Sequence, residues 1–326
     1  MNYNFVLAYL KKMHAELKQL NMQESIPLYK LWVDSIWSYL RYGCTIRQYV
    51  TGRFYKYSSF ERNKILTTKK FFKLVDKTND KLYIKYLEDK ALFNTHFHKF
   101  VHRKWVDSRT MNRNEFNDLC SSNKSIIVKP IGGTEGDSIY IISHHELDSP
   151  EERDVLFEKI IKENAIIEEL IVQHPRMKFN NQSVNTIRAI TLMDKHTHEV
   201  KMLKTVLRAG VGDTVVDNYH QGGCCYEVDI NTGRICSQGV SRNSNNLLFH
   251  PGTDICMLGY EIPNWVEVVN SCLEAHSLLP QCRYISWDVA ITPLGVELIE
   301  GNHNGDYDML EFVGSNGYWP VLKKYV

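Results

Sequence analysis

The 326-residue chain is 43% hydrophobic and 24% charged, with 39 Lys and Arg against 38 Asp and Glu for a formal net charge of +1. That balance supports a large core and excludes a disordered chain, and near-neutrality without a recognised binding motif argues against a nucleic-acid partner. No apolar run approaches the ~18–20 residues that span a bilayer, and Phe5–Leu10 is short for a signal-peptide core and runs into Lys11-Lys12 rather than a small-residue cleavage site, so a cytoplasmic protein is expected.

Charge is uneven along the chain. Residues 1–110 carry 21 Lys and Arg against 9 Asp and Glu, a formal +12, leaving −11 for the remainder. Phe5, Tyr9, Met13, Leu17 and Leu20 recur every three to four positions, and Ile36, Tyr39, Leu40 and Ile46 continue the spacing, which predicts amphipathic helices. Residues 1–85 therefore read as a helical cap whose apolar and aromatic stripe is expected to pack inward. Its positive charge would steer an anionic substrate, such as an acidic glycan or nucleotide sugar, or draw the protein to anionic lipid; a merely solvated face beside an acidic domain is the alternative. His96, His98 and His102 raise the question of a metal, but no acidic or cysteine partner completes a set, and polar helix positions are expected. The eight cysteines include no Cys-x-x-Cys, and Cys224-Cys225 are adjacent, which predicts reduced, partly buried thiols.

Further along, Ile126–Ile142 reads as strand, glycine-containing loop, strand, with Lys129 where the first strand ends and Gly132, Gly133 and Gly136 in the loop. Such a loop lays backbone N–H groups against phosphate oxygens. It is neither a Walker A loop nor a Rossmann fingerprint, because no Gly-Lys-Ser/Thr follows and a strand comes next. A helix is predicted from Ser149 and Pro150, cap and first-position residues, and then a strand that ends in Glu168-Glu169. Arg188 falls in a period-2 strand over 184–192, and Arg208 in the run 203–210; a cation on an inner strand face clamps a phosphoryl group or a carboxylate, or else bonds its neighbours. Asn218–Gly223 reads as a loop, Glu227–Ile235 as a hairpin with Asn-Thr-Gly at its turn, the asparagine-rich stretch 242–246 as a loop, and Trp265–Leu278 as an amphipathic helix.

The last element is a second hairpin, Ser286–Asn302, turning at Thr292-Pro293-Leu294-Gly295. Asp288 and Glu300 then sit roughly opposite each other, and Glu300 and Asn302, two apart on one strand, share a face. Two carboxylates and an amide oxygen suit Mg²⁺ better than zinc.

The order strand, Lys-Pro, glycine loop, strand, helix, strand, Glu-Glu and finally Asp…Glu-x-Asn resembles the ATP-grasp superfamily. More narrowly, Gln173-His174-Pro175, Ser183–Arg188 and Asp217–Gly223 resemble the sugar-transfer-associated ATP-grasp proteins linked to bacterial surface polysaccharide synthesis, over residues 85–312. The resemblance implies an α+β ATP-grasp body whose two subdomains clasp ATP, a lid over 86–172 and a large subdomain over 173–326, behind the helical cap of 1–85. It implies that Lys129 lies near the adenine and α-phosphate and that Lys90 is a second nucleotide lysine. Backbone around Glu169, Leu170 and Ile171 would pair with the adenine edge, Glu168 would orient Lys129, and Gln173 or His174 would reach the ribose. Asp288, Glu300 and Asn302 would hold Mg²⁺. The chain departs from the superfamily at Ser286, where an arginine often stands, and at His303-Asn304, where proline often follows the Asn; Arg188, Arg208 or Arg283 would then supply the charge. The implied function is ATP-dependent, ADP-forming carboxylate–amine ligation through an acyl phosphate, on a small-molecule or glycan substrate, with peripheral association to membrane polysaccharide machinery in view. Phosphorylation of a sugar or polyol hydroxyl is the runner-up, and a nucleotide-binding regulator of polysaccharide assembly the third reading.

Overall fold

A computed structural model describes the backbone at residues 3–132, 139–143, 147, 149–179, 183–212, 222–241, 246–305, 307–313 and 317–326, and the side chains at all of these except 3–6, 9, 308 and 312. The expected glycines Gly133 and Gly136 and most of the loop 217–223 lie outside the described residues. Contacts divide the chain into two compact units, residues 1–78 with 306–326, and residues 79–305. The first boundary falls seven residues before the one expected at 85, and the C-terminal segment groups with the N-terminal helices.

The first unit is helical, with Tyr3–Glu24, Leu28–Tyr42, Ile46–Thr51, Ser59–Lys64 and Thr68–Thr78 followed at the other end of the chain by Tyr307–Phe312 and Trp319–Leu322. Met13, Leu17, Leu20 and Ile46 are buried as their spacing predicts; the side chains of Phe5 and Tyr9 lie outside the description. Ile36, Tyr39 and Leu40 correct the expectation of an inward stripe, because they are 47%, 57% and 70% exposed. Helix Leu28–Tyr42 instead turns Leu31, Ser35, Ser38 and Tyr42 inward. Spacing fixes the period of a helix face, but tertiary contacts choose which face goes in. Glu311, fully buried, ties the two ends of this unit together, accepting from the N–H groups of Leu66 at 2.6 Å, Gly317 at 2.7 Å and Tyr318 at 3.0 Å.

The second unit contains two antiparallel sheets. The smaller has strands β1 (Trp105–Asp107), β2 (Ser125–Pro130), β3 (Tyr140–Ser143) and β4 (Ala165–Glu169) in the order β1-β4-β2-β3. Helices Arg113–Ser122 and Pro150–Ile160 close over it around Phe116, Ile126, Val128, Ile160 and Ile167. As predicted, Ser149 caps the second helix, its hydroxyl accepting from Glu152 N–H at 3.2 Å. The larger sheet has β5 (Thr186–Met193), β6 (Val200–Ala209), β7 (Cys224–Val228), β8 (Val240–Ser241), β9 (Tyr284–Thr292) and β10 (Gly295–Asn302) in the order β10-β9-β5-β6-β7-β8. Helix Trp265–Ser277 packs on one face, where Ile187, Leu207, Tyr226, Trp287 and Val289 form the core. Because successive strand residues point to opposite faces, Arg188, Arg208 and Asp288 stand on the other. Mixed helices and antiparallel sheets with a helical N-terminal region are the α+β class read from the sequence. Among the described residues no helix is long and apolar enough to cross a membrane. The eight cysteines are thiols, six buried and Cys236 and Cys256 exposed.

Candidate active site

The C-terminal hairpin has the expected turn and a register that brings the oxygen donors together. Asp288 pairs across the ladder with Glu300, and Ser286 with Asn302. This register depends on a bulge between Leu298 and Glu300. Leu298 points into the core beside Val289, so an unbroken strand would send Glu300, two residues on, into the same core. The extra residue, Ile299, reverses the alternation and aims Glu300 and Asn302 at the Asp288 face. Gly301 then falls on the core side, where an added Cβ would come within 2.9 Å of Leu87 and 3.3 Å of Trp287.

Asp288 is the most heavily contacted of the three. Its carboxylate accepts from Arg188 Nη2 and Arg208 Nη1, both at 3.0 Å, and Arg188 Nε forms an ion pair with its Oδ1 without hydrogen-bond geometry. Burial, joined by the neighbouring Glu300, pushes the Asp288 carboxyl up to about 6 despite the two arginines. Glu300 goes the other way: burial opposes its ionisation, but the Asn302 amide, Arg188, Asp288 and Lys90 together hold it down, and Asn302 Nδ2 donates to Glu300 Oε1 at 3.1 Å. The two neighbouring carboxyls are thus shifted in opposite directions, as expected of a coupled buried pair of acids. With an amide oxygen available from Asn302, these donors fit a hard divalent ion such as Mg²⁺. Among the described residues no cluster of three His, Cys, Asp or Glu could hold a metal, and His96 and His98 bond the carbonyls of Leu278 and Thr95.

The arginine absent from position 286 is replaced in space. Arg188 sits opposite Asp288 on β5, and its Nη1 reaches Ser286 Oγ at 3.5 Å. Arg283 is elsewhere, donating to Met193 O. Gly305 leaves room for this guanidinium, since a Cβ there would lie 3.0 Å from Arg188 Nη1. The same face continues outward through Lys204, fully buried, paired with Glu227 at 3.3 Å. A row of ionic groups therefore crosses from β7 to β10.

On the smaller sheet Lys129 and Glu168 pair at 2.6 Å. Glu168 is buried. Burial alone would raise its carboxyl, yet Arg103 and Lys129 hold it well below the usual carboxylate range. Arg103, which the sequence reading missed, pairs with Glu168 at 2.8 Å and with Glu297 of the larger sheet at 2.6 Å, and donates to Leu298 O at 2.8 Å. Asn94 completes this set, donating to Glu168 at 2.9 Å. Arg103 stands before β1 in an unremarkable basic run, and only its long-range partners single it out.

Lys90 is the first residue of helix Lys90–His96, whose N-cap Asp89 accepts from the N–H groups of Ala91 and Leu92. Burial, with Lys129 nearby, lowers its ammonium against the pull of Glu300 and Glu168. Gly132 is exposed, and a Cβ there would meet nothing within 4 Å. Glu169 exchanges contacts with Lys104, its N–H donating to Lys104 O at 3.0 Å and its carboxylate accepting from Lys104 N–H at 2.8 Å; Leu170 and Ile171 follow, half-buried and past the strand end. The Gln173 amide is committed to Asn185, donating to its O at 2.5 Å and accepting from its N–H at 3.0 Å. Its expected ribose contact is therefore displaced by a structural clamp, which leaves His174, half-buried, with Nδ1 accepting from Arg176 N–H at 3.1 Å.

Comparison with known proteins bears on this geometry. The family description of sugar-transfer associated ATP-grasp proteins matches residues 69–325. None of the curated proteins matches. Among solved structures the chain is similar to the ATP-grasp ligase PsnB complexed with a phosphomimetic variant of a minimal precursor, Mg and ADP, at 11% identity over 76% of this chain and 61% of that one, with a TM-score of 0.46. It is also similar to a D-alanine–D-alanine ligase from Helicobacter pylori, at 13% identity over 74% and 60% of the chains and a TM-score of 0.42. An ADP complex of N5-carboxyaminoimidazole ribonucleotide synthetase shares 8% identity over 68% and 46%, with a TM-score of 0.43. The chain thus spans 61% of the PsnB chain.

Proposed function

The chain belongs to the sugar-transfer-associated ATP-grasp family, and from that premise we propose that it is an ATP- and Mg²⁺-dependent ligase joining a carboxylate to an amine or comparable nucleophile in polysaccharide biosynthesis. The observation that carries this reading is the pairing of Asp288 with Glu300, Asn302 beside them, under the guanidinium groups of Arg188 and Arg208. Asp288, Glu300 and Asn302 would hold a Mg²⁺ ion, which would supply charge neutralisation for phosphoryl transfer. Lys129, fixed by Glu168, and Lys90 bind phosphate oxygens, and the backbone past Glu169 offers donors and acceptors to adenine. A substrate carboxylate oxygen attacks the γ-phosphorus, ADP leaves, and the resulting acyl phosphate is attacked at its carbonyl carbon by the amine. Phosphate departs and the amine proton goes to solvent. Arg188 and Arg208, fixed in place before reaction, oppose the charge developing on the acyl and phosphoryl oxygens. A uronic or amino acid is the class of carboxylate suited to two arginines on one face.

Incubation with ATP, Mg²⁺, hydroxylamine and a panel of uronic and amino acids tests the reading. The expected products are ADP, free phosphate and a hydroxamate of the accepted acid, with Lys129→Met abolishing the trap. Accumulation of a stable phosphate ester with neither free phosphate nor hydroxamate replaces the ligase by a sugar or polyol kinase.

A further inference from the structure

Helix Leu28–Tyr42 of the first unit carries apolar side chains outward as well as inward, where Leu31 and Tyr42 are buried and Leu28 and Trp32 pack beside them. At 100° per residue, Tyr29, Val33, Ile36 and Leu40 form one ridge and Trp37 lies beside it. All five are exposed, Val33 by 67%, Trp37 by 57% and Leu40 by 70%. The opposite face, which packs against the rest of the unit, holds Leu31 and Tyr42 but also Ser35 and Ser38. Two serines are buried on this helix while Val33, Ile36, Trp37 and Leu40 stay exposed, which burial of apolar surface alone does not select. An exposed apolar ridge of this kind marks an interaction surface.

The charge around the ridge indicates what covers it. The only acidic residue of the helix, Asp34, is turned aside and neutralised, accepting from Arg62 at 2.6 and 2.8 Å and from Tyr49 at 2.7 Å. Lys30 and Arg41, both exposed, are separated by about three turns, so they share one flank with Trp37 between them. The unit as a whole, residues 1–78 with 306–326, has 16 Lys and Arg against 8 Asp and Glu, or +8, whereas residues 79–305 have 23 against 30, or −7. A second copy would set +8 against +8. An anionic surface meets both the charge and the apolar ridge.

We propose that this helix is a docking face for an anionic lipid bilayer, lying in the plane of the headgroups with Val33, Ile36, Trp37 and Leu40 in the acyl boundary. Lys30 and Arg41 extend their charged ends to lipid phosphates while their aliphatic stems stay with the ridge. Trp37 and Tyr29 take the interfacial level that amphipathic rings occupy. Partitioning then depends jointly on apolar contact and charge, with each basic group near the surface adding to the attraction.

Flotation of the full chain with vesicles of equal parts phosphatidylglycerol and phosphatidylcholine, against phosphatidylcholine alone, tests this. The chain is expected to float with the anionic vesicles, less so as salt rises, and to remain behind with neutral ones. Combined Val33→Ser, Trp37→Ser and Leu40→Ser should abolish flotation. Because those changes could disturb folding, Lys30→Glu with Arg41→Glu, at two exposed positions, provides the second arm and should weaken partitioning roughly tenfold or more, with circular dichroism unchanged. Failure to float with anionic vesicles overturns the proposal, as does equal, salt-independent binding to both kinds. A concentration-dependent dimer lost in the Trp37 variant, without vesicle binding, assigns the face to a second copy instead.

Discussion

Residues 79–305 bury Arg103, Glu168, Arg188, Arg208, Lys204 and Asp288, while the helical unit leaves Val33, Trp37 and Leu40 in solvent. The second unit departs from ordinary burial mainly in its interior, and the first on the outer surface of one helix. Buried charges are expensive unless paired, and here each has a partner within hydrogen-bond or ion-pair distance, so the second unit accepts that cost in exchange for a face fixed before any ligand arrives. Exposed apolar groups carry little penalty in the isolated fold, so the ridge of the first unit is tolerated without compensation. The lesson is that the interior and exterior anomalies of this chain are both readable as surfaces for something absent from the chain itself.

The comparison is broken most severely at Arg103. Arg103→Met leaves Glu168 and Glu297 buried without their shared cation, and should cost about 3–5 kcal/mol of stability in denaturant unfolding. Adding Glu297→Gln to Arg103→Met should restore part of that loss, because one of the stranded charges is removed. If Arg103→Met unfolds like the parent, the buried network contributes nothing to the fold.

Much of this site was legible in the sequence. Pro293 and Gly295 marked the turn, and the turn brought Asp288 and Glu300 near each other; Lys129 and Glu168 stood near strand ends where β-pairing brought them together. The bulge at Ile299 was not legible, since no glycine or proline announces it, nor was Arg103, whose partners lie 65 and 194 residues away. The outward ridge of helix Leu28–Tyr42 was missed for a related reason: Ile36, Tyr39 and Leu40 kept helical spacing, but nothing local says that serines at 35 and 38 face the core. Gln173 sat in a motif that pointed to a ligand, yet its amide is consumed by Asn185 twelve residues on.

A smaller effect sharpens the contrast through His276, fully buried, its Nδ1 2.6 Å from Thr191 Oγ1. Burial pushes its imidazole down to about 3, so the folded state keeps it neutral while the unfolded chain takes up a proton below about pH 6.5. Stability from this group is therefore unchanged above that pH and falls as pH drops through the window toward about 3. His276→Gln should flatten the unfolding free energy between about pH 6.5 and 5 by up to about 1.4 kcal/mol per pH unit; identical slopes would show that His276 is protonated in the fold.

The smallest effect belongs to the exposed ridge. Leu40→Ala should change stability by no more than about 0.5 kcal/mol, whereas Leu207→Ala, at a position with no exposure, should cost about 2–5 kcal/mol. Comparable losses at both positions would mean that the ridge is covered within the folded chain.

Asp288, Glu300 and Lys129 are predicted to hold a magnesium nucleotide together, which thermal unfolding with and without millimolar Mg-ADP measures. A ligand at a hundredfold excess over its dissociation constant stabilises the folded state by about 2.7 kcal/mol. The parent chain should show a clear rise in Tm with ADP that grows further when Mg²⁺ is added. Lys129→Met should lose it, and Glu300→Gln should lose the part that depends on Mg²⁺ while retaining a response to ADP. An absent shift in the parent chain, or one that neither substitution alters, would contradict the account.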